Sequence, residues 1–317
     1  MKQSKKQIYD LIVLGGGCAG LTAGIYAGRA KLNTIILEQQ QIGGQAAITA
    51  EVANYPGIES VAGPELMDRM LEQAKRFGTE LVLRQVTEMR LAGGWKELET
   101  DGGVYQGRSV ILASGASPKQ LGFAGETEFR GKGVSYCATC DGFFFREKDI
   151  FVIGGGNSAA EEALFLTRFG KTVTMIVRKD RLRCEAYLRE RVLSHPKIQV
   201  RYHTELVRAY GDTVLRGAEF RNNETGEQTE YRAAGGETFG IFVFVGYEPN
   251  TGLFAAQVRT DDLGYVTTDE KMRTSLPGVF AAGDLRAKPL RQLVTAAADG
   301  AVAAMEAERY IAKQKEM

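Results

Sequence analysis

The chain has 317 residues, 44% of them apolar, a length and composition that allow two buried cores. Lysine plus arginine (40) and aspartate plus glutamate (39) almost cancel, so no global field draws in nucleic acid or an anionic membrane, and a small cofactor or a protein partner fits better. The 38 glycines against 7 prolines point to tight turns and close backbone approaches, and 4 cysteines (Cys18, Cys137, Cys140, Cys184) are too few for a secreted disulfide framework, which makes a reducing cytoplasm the default.

At the N-terminus, Lys2, Lys5 and Lys6 precede an apolar run over 11–14 in the manner of a signal peptide. Asp10, three consecutive glycines within the run, and Arg29 and Lys31 beyond it argue against export. No other run is long and apolar enough to be expected to span a bilayer. Residues 8–14 are almost wholly apolar, as a buried parallel strand should be. They lead directly into Gly15-Gly16-Gly17-Cys18-Ala19-Gly20, a helix-like stretch over 21–30, and a second strand over 34–37 that ends on Glu38. Glycine at the first, third and sixth places between a strand and a helix is the dinucleotide-binding fingerprint. The glycines permit the turn, the approach of a pyrophosphate to the helix N-terminus and helix–strand packing, and the distal acid holds a ribose diol.

Residues 42–45 and 54–57 read as glycine-rich loops, and 65–77 as an amphipathic helix stopped by Gly78. Short strands follow, with turns at Gly93-Gly94 and Gly102-Gly103, and an apolar strand over 110–113 runs into Ser114-Gly115-Ala116. Next comes Cys137-Ala138-Thr139-Cys140-Asp141-Gly142, followed by Phe143, Phe144 and Phe145. Two thiols at this spacing can close a small reducible disulfide beside an acid that manages protons; the same pair is also half a zinc site, or two unrelated core cysteines. The histidines, His195 and His203, supply no second pair of zinc spacing, so no metal is expected.

The strand-and-glycine pattern then recurs. Residues 149–153 lead into Gly154-Gly155-Gly156-Asn157-Ser158-Ala159, a helix over 160–169, and a strand over 172–177 that ends on Arg178-Lys179, with Arg181 and Arg183 beyond. Two copies imply two nucleotide sites. A carboxylate at the second strand's end suits a free ribose diol, whereas a basic cluster favours the 2′-phosphate of NADP; a solvated loop is the plainer account of the cluster. A helix over 185–193, strands over 199–202 and 214–220, a hairpin tip over 222–228 and an apolar strand over 239–245 follow. The last strand, over 279–282, ends in Gly283-Asp284, where ligands bind in such sheets, although an aspartate there also suits a helix cap. A helix over 293–311 closes the chain.

Taken together, these motifs resemble the low-molecular-weight bacterial thioredoxin reductases of the two-dinucleotide flavoprotein superfamily. The resemblance is carried by Gly15 to Gly20, Gly43-Gly44-Gln45, Asn54-Tyr55-Pro56-Gly57, Ala113 to Ala116, Cys137 to Phe144, Gly154 to Ala159 with Glu161-Glu162-Ala163, and Gly278 to Asp284 with Arg291-Gln292. It implies an α/β protein with two Rossmann-like three-layer domains, the second inserted into the first. An FAD domain would comprise 1–117 and 248–317, and an NADPH domain 118–247, with hinges near Ser117-Pro118 and 246–249.

The resemblance further implies that FAD is held by Gly15, Gly17, Cys18, Ala19, Gly20, Glu38, Gln39, Gly44, Gln45, Asn54, Ala113, Ser114, Gly115, Gly283, Asp284, Arg291, Gln292 and Leu293. NADPH would meet Gly156, Asn157 and Ser158, with Arg178, Lys179 and Arg183 around its 2′-phosphate. Cys140 would take electrons from the flavin, Cys137 would attack the disulfide of thioredoxin or a thioredoxin-like protein, and Asp141 would act as acid/base. Phe143 and Phe144 would face that partner, unless the three aromatics are core. A cytoplasmic homodimer is implied. Cys18 stands where the family commonly has proline, Val177 where it has histidine, and Lys179, lacking an arginine's fork, where it has a second arginine. Rival readings are a ferredoxin- or NADH-fed reductase, a flavin dithiol oxidase, and a non-enzymatic FAD-binding sensor, against which the dithiol counts.

Overall fold

The computed structural model describes residues 7–49, 52 and 54–316, so Lys2, Lys5 and Lys6 lie outside it. The chain forms two compact units. One comprises the residues up to Ser117 together with those from Glu248 onward, and the other is Pro118–Tyr247.

The first unit begins with β1 (Gln7–Leu14), α1 (Cys18–Arg29), β2 (Thr34–Glu38), α2 (Gly63–Arg76), β3 (Glu80–Leu83), β4 (Val86–Arg90), β5 (Lys96–Thr100) and β6 (Gly103–Leu112). The chain leaves it through β7 (Ala116–Pro118). The second unit holds β8 (Val134–Ser135), α3 (Ala138–Asp141), β9 (Asp149–Ile153), α4 (Asn157–Leu166), β10 (Thr172–Ile176), α5 (Ala186–Ser194), β11 (Ile198–Arg201), β12 (Thr204–Gly211), β13 (Leu215–Asn222), β14 (Gln228–Arg232) and β15 (Gly240–Val243). The chain returns through β16 (Tyr247–Pro249), which pairs with β7, and ends with β17 (Val279–Ala281) and α6 (Leu293–Glu316).

In the first unit, β3, β2, β1 and β6 lie side by side in parallel. The far half of β6 also pairs in parallel with β17, and its near half is antiparallel to β5. The apolar run of β1 is needed on both faces. Leu11 and Val13 pack with Ile111, Phe280 and Ala303 beneath the helices, while Ile12 and Leu14 pack on the other face with Leu112, Phe254 and Leu285.

The second unit's sheet, in the order β11-β10-β9-β15-β8, is parallel throughout. One face carries α4 and α5 on Val152, Met175 and Phe242; the other carries the antiparallel β12-β13-β14 meander on Phe151, Ile153 and Ile176.

Both fingerprint helices start earlier than the residue pattern predicts. α1 opens at Cys18 rather than 21, and α4 spans Asn157–Leu166 rather than 160–169. In each, the third glycine of the motif is the N-cap (Gly17, Gly156), so the rest of the hexad is already helical. Gly20 shows why a small residue is required inside the first turn, since a Cβ there would stand 1.8 Å from the Gly15 carbonyl oxygen. α4 ends early because Thr167 turns its hydroxyl back onto the Leu164 carbonyl (2.7 Å) and Gly170 closes the turn.

Candidate active site

In the first unit the fingerprint turn is held from several sides. Gly15 has φ +109°, and a Cβ on it would meet the Ala113 carbonyl oxygen at 2.3 Å, so the turn lies directly on the end of β6. Nothing lies within 4 Å of a Cβ placed on Gly17, and α1 has no side-chain cap hydrogen bond. The first amides of α1 therefore remain available to an anion. Gly44 borders the same turn, 3.5 Å from the Gly17 Cα by its added Cβ, and Ala19 packs against Gly283. Glu38 accepts hydrogen bonds from the amides of Gly16 (2.7 Å), Gln39 (2.8 Å) and Gln40 (3.0 Å).

Distant segments meet here. Asn54 Nδ2 donates to Gln292 Oε1 at 3.2 Å, and the Cys18 thiol to the Leu293 carbonyl at 3.3 Å. The Gln45 carbonyl accepts the Thr49 hydroxyl at 3.0 Å. Ser114 Oγ donates to the Asn250 carbonyl (2.7 Å), and Gly115 O accepts the Asn250 amide (3.0 Å). Burial, with the Asp284 charge second, pushes the Cys18 thiol up to about 12, so it is an inert packing group.

Asp284 does not cap a helix, because α6 begins only at Leu293. Its Oδ1 is buried and makes no hydrogen bond in the protein, with the Lys288 ammonium 3.5 Å away. Burial raises its pKa, while Lys288 and Arg291 act in the opposite direction. Arg291 donates from Nε to the Asp284 carbonyl (3.2 Å) and lies over the Tyr265 ring at 3.9 Å. A buried acceptor without a hydrogen bond, a bare helix N-terminus and open space at Gly17 together fit a flavin nucleotide with hydroxyls and a pyrophosphate.

In the second unit, Cys137 and Cys140 are disulfide-bonded with Cα atoms 5.3 Å apart. Cys137 is the N-cap of the single-turn α3 and accepts the Cys140 amide on Sγ at 3.2 Å. Asp141 accepts the Ser135 hydroxyl on Oδ2 at 2.6 Å, and the same hydroxyl oxygen accepts the Cys137 amide at 3.1 Å. Burial raises the Asp141 pKa and the Ser135 bond partly offsets it. The three phenylalanines divide: Phe143 and Phe144 are 58% and 38% exposed, while Phe145 is buried against Phe242.

The second fingerprint opens onto a cavity of about 580 Å³. Its lining includes Gly156, Asn157 and Ser158, and also Arg178, Lys179 and Arg183 from beyond β10. Gly156 repeats the arrangement at Gly17, with no atom within 4 Å of an added Cβ and no side-chain cap on α4. Asn157 Oδ1 accepts the Glu185 amide at 2.8 Å, tying the turn to the start of α5. A cavity bordered by a helix N-terminus and by cations fits a phosphorylated dinucleotide. Sequence reasoning did not single out Ser135 or Glu205, which lines the same cavity.

Among the described residues, no helix is long and apolar enough to cross a membrane. The sequence matches the pyridine nucleotide-disulphide oxidoreductase family over residues 9–301. It is 47% identical to a thioredoxin reductase of Peptoclostridium acidaminophilum over 96% of this chain and 98% of that enzyme. It is 42% identical to a thioredoxin reductase of Listeria monocytogenes over 99% and 97% of the two chains. The fold matches the crystal structure of thioredoxin reductase from Streptococcus pyogenes with a TM-score of 0.91 and 38% identity, covering 98% of this chain and 100% of that one. Two Rossmann-like units, a dithiol pair in disulfide linkage and relatives matched from end to end lead to one assignment: the chain belongs to the pyridine nucleotide-disulphide oxidoreductase family, and within it to the low-molecular-weight thioredoxin reductases, oxidoreductases that use a flavin and a pyridine nucleotide.

Proposed function

We propose that the enzyme passes electrons from NADPH through FAD to the Cys137–Cys140 disulfide and on to thioredoxin or a thioredoxin-like protein, as a cytoplasmic homodimer. The observation that carries this reading is that disulfide, lying in the same unit as a cation-lined dinucleotide cavity. The first unit is assigned FAD, with Gly17 and Gly20 at the pyrophosphate turn, Glu38 at a ribose, and the Asp284 oxygen that makes no hydrogen bond toward a flavin hydroxyl. The second is assigned NADPH, with Arg178, Lys179 and Arg183 toward the 2′-phosphate. Exposed Tyr26 on α1 and Val302 and Met305 on α6 offer apolar surface to a second copy.

When bound, the flavin supplies the two-electron relay between nicotinamide and disulfide. The remaining chemistry belongs to the protein. The Cys140 amide donates to Cys137 Sγ, a contact that would favour negative charge on that sulfur once the disulfide is reduced and so supports the reading of Cys137 as the attacking thiolate and Cys140 as the flavin-side sulfur. Attack forms a bond from Cys137 to one partner sulfur and breaks the partner's S–S bond, whose other sulfur leaves as thiolate. Cys140 then attacks Cys137 Sγ, re-forms the original disulfide and releases the partner as a dithiol. Asp141, held by Ser135, supplies and recovers the proton that the leaving sulfur takes. Exposed Phe143 and Phe144, adjoining the dithiol, are assigned to partner docking.

Anaerobic stopped-flow mixing with NADPH, NADH or reduced ferredoxin, followed by oxidised thioredoxin, tests the route. NADPH is expected to bleach the flavin and thioredoxin to restore its colour; a flavin that no nucleotide bleaches would refute the reading. Cys137→Ser should keep flavin reduction by NADPH and lose thioredoxin turnover to background, and substantial turnover in that variant would overturn the sulfur assignment.

A further inference from the structure

Arg178, Lys179, Arg181 and Arg183 all line the cavity of the second unit, and among the described residues none of the four forms an ion pair. The arginines of the neighbouring meander behave differently: Arg208 pairs with Glu219, Arg216 with Asp212 and Arg232 with Glu230. One acid, Glu205, shares the cavity wall with the four cations. It lies near the start of β12, opposite Arg221 of β13 in the antiparallel register. Arg221 Nε donates to Glu205 Oε1 at 3.0 Å, and Nη2 bonds the same oxygen. Arg221 itself is not part of the cavity lining.

We propose that Arg221 is a positioning residue for nucleotide specificity: by engaging the Glu205 carboxylate it keeps the cavity selective for the 2′-phosphate of NADPH over the hydroxyl of NADH. The inference rests on the NADPH reading above. The two nucleotides differ in that phosphate alone, so the wall's charge has no other handle with which to separate them. A free carboxylate there would repel a dianion, whereas a neutral ribose hydroxyl meets no such repulsion and can donate to it. Lys179 sharpens the dependence, since a point charge grips a phosphate less firmly than a guanidinium fork.

The test is steady-state kinetics of the holoenzyme with NADPH and with NADH at saturating thioredoxin. Arg221→Met should raise KM for NADPH about tenfold, with the defect shrinking as salt rises, while kcat is unchanged and KM for NADH does not rise. Arg221→Lys should remain close to wild type. Glu205→Gln added to Arg221→Met should return KM for NADPH to within about twofold of wild type, because the repelling charge is gone. An equal rise in both KM values would mark a packing role and overturn the proposal, as would an unmoved KM for NADPH or a failed rescue. Should Arg221→Met not fold, Glu205→Gln alone decides: KM for NADPH should fall or hold, and a rise overturns it. A wild type that prefers NADPH beside unresponsive variants sinks this inference alone. A wild type indifferent to the phosphate sinks the NADPH reading as well.

Discussion

Asp141 is under two opposing demands. As a buried carboxylate it resists ionisation, and as the ligand of the Ser135 hydroxyl it is held beside the dithiol. Because burial lifts its folded pKa above the unfolded value, the folded state binds the extra proton between the two values. Stability therefore falls as pH rises through that window, and the cost persists above it. Asp141→Asn is expected to slow thioredoxin turnover about a hundredfold at neutral pH. The same variant should melt at a higher temperature than wild type there, the difference vanishing as pH drops below the ordinary carboxylate range. Melting curves across pH check the second half; a variant no more stable at neutral pH would show that Asp141 ionises without penalty. Cys137, Cys140 and Asp141 were legible in the sequence because a three-residue spacing suffices to join them. Ser135 was not, since its contact with Asp141 depends on how β8 delivers the chain into α3. Glu205 was hidden for a related reason: the β12–β13 register, not any local motif, gives it Arg221.

At the scale of elements, two strand–turn–helix units carry the fold, and their glycines are not interchangeable. Gly17 and Gly156 leave room that a ligand can use, whereas Gly20 lies where even a methyl group collides with the Gly15 carbonyl. Gly20→Ala should therefore destabilise the first unit by about 3 kcal/mol and release flavin, measured by calorimetry and by flavin fluorescence. Gly17→Ala should leave melting of flavin-free protein near wild type while weakening flavin binding. Equal melting losses in both variants would contradict this division. The two fingerprints were readable because each keeps strand, glycines and helix contiguous. The helix starts were misjudged by about one turn, since a glycine hexad looks like a loop until the packing that demands small residues inside the helix is known. β12 escaped notice because its buried positions follow a broken alternation, interrupted by register shifts against β13.

For the whole molecule, the proposed roles place nicotinamide and disulfide in one unit and flavin in the other, so each must reach the flavin in turn. We expect the inserted unit to rotate on its two crossings, β7 and β16. A reversible cross-link between the units should cut steady-state turnover about a hundredfold and release it on reduction of the link. Full turnover in the locked enzyme would sink the rotation. The two-unit plan was visible in the repeated fingerprint, yet the pairing of the two crossings was not, because three-residue strands carry too little pattern to be recognised.

The insertion also sets an order of events on the ribosome. Everything the second unit needs for its parallel sheet lies between Pro118 and Tyr247, so it can close as soon as that stretch has emerged. β6 is made earlier but has to wait for β17, its neighbour, which follows the whole of the second unit in the chain. The nascent chain thus carries a closed second unit attached to an unfinished sheet edge, and that edge is open to non-native pairing until β17 arrives.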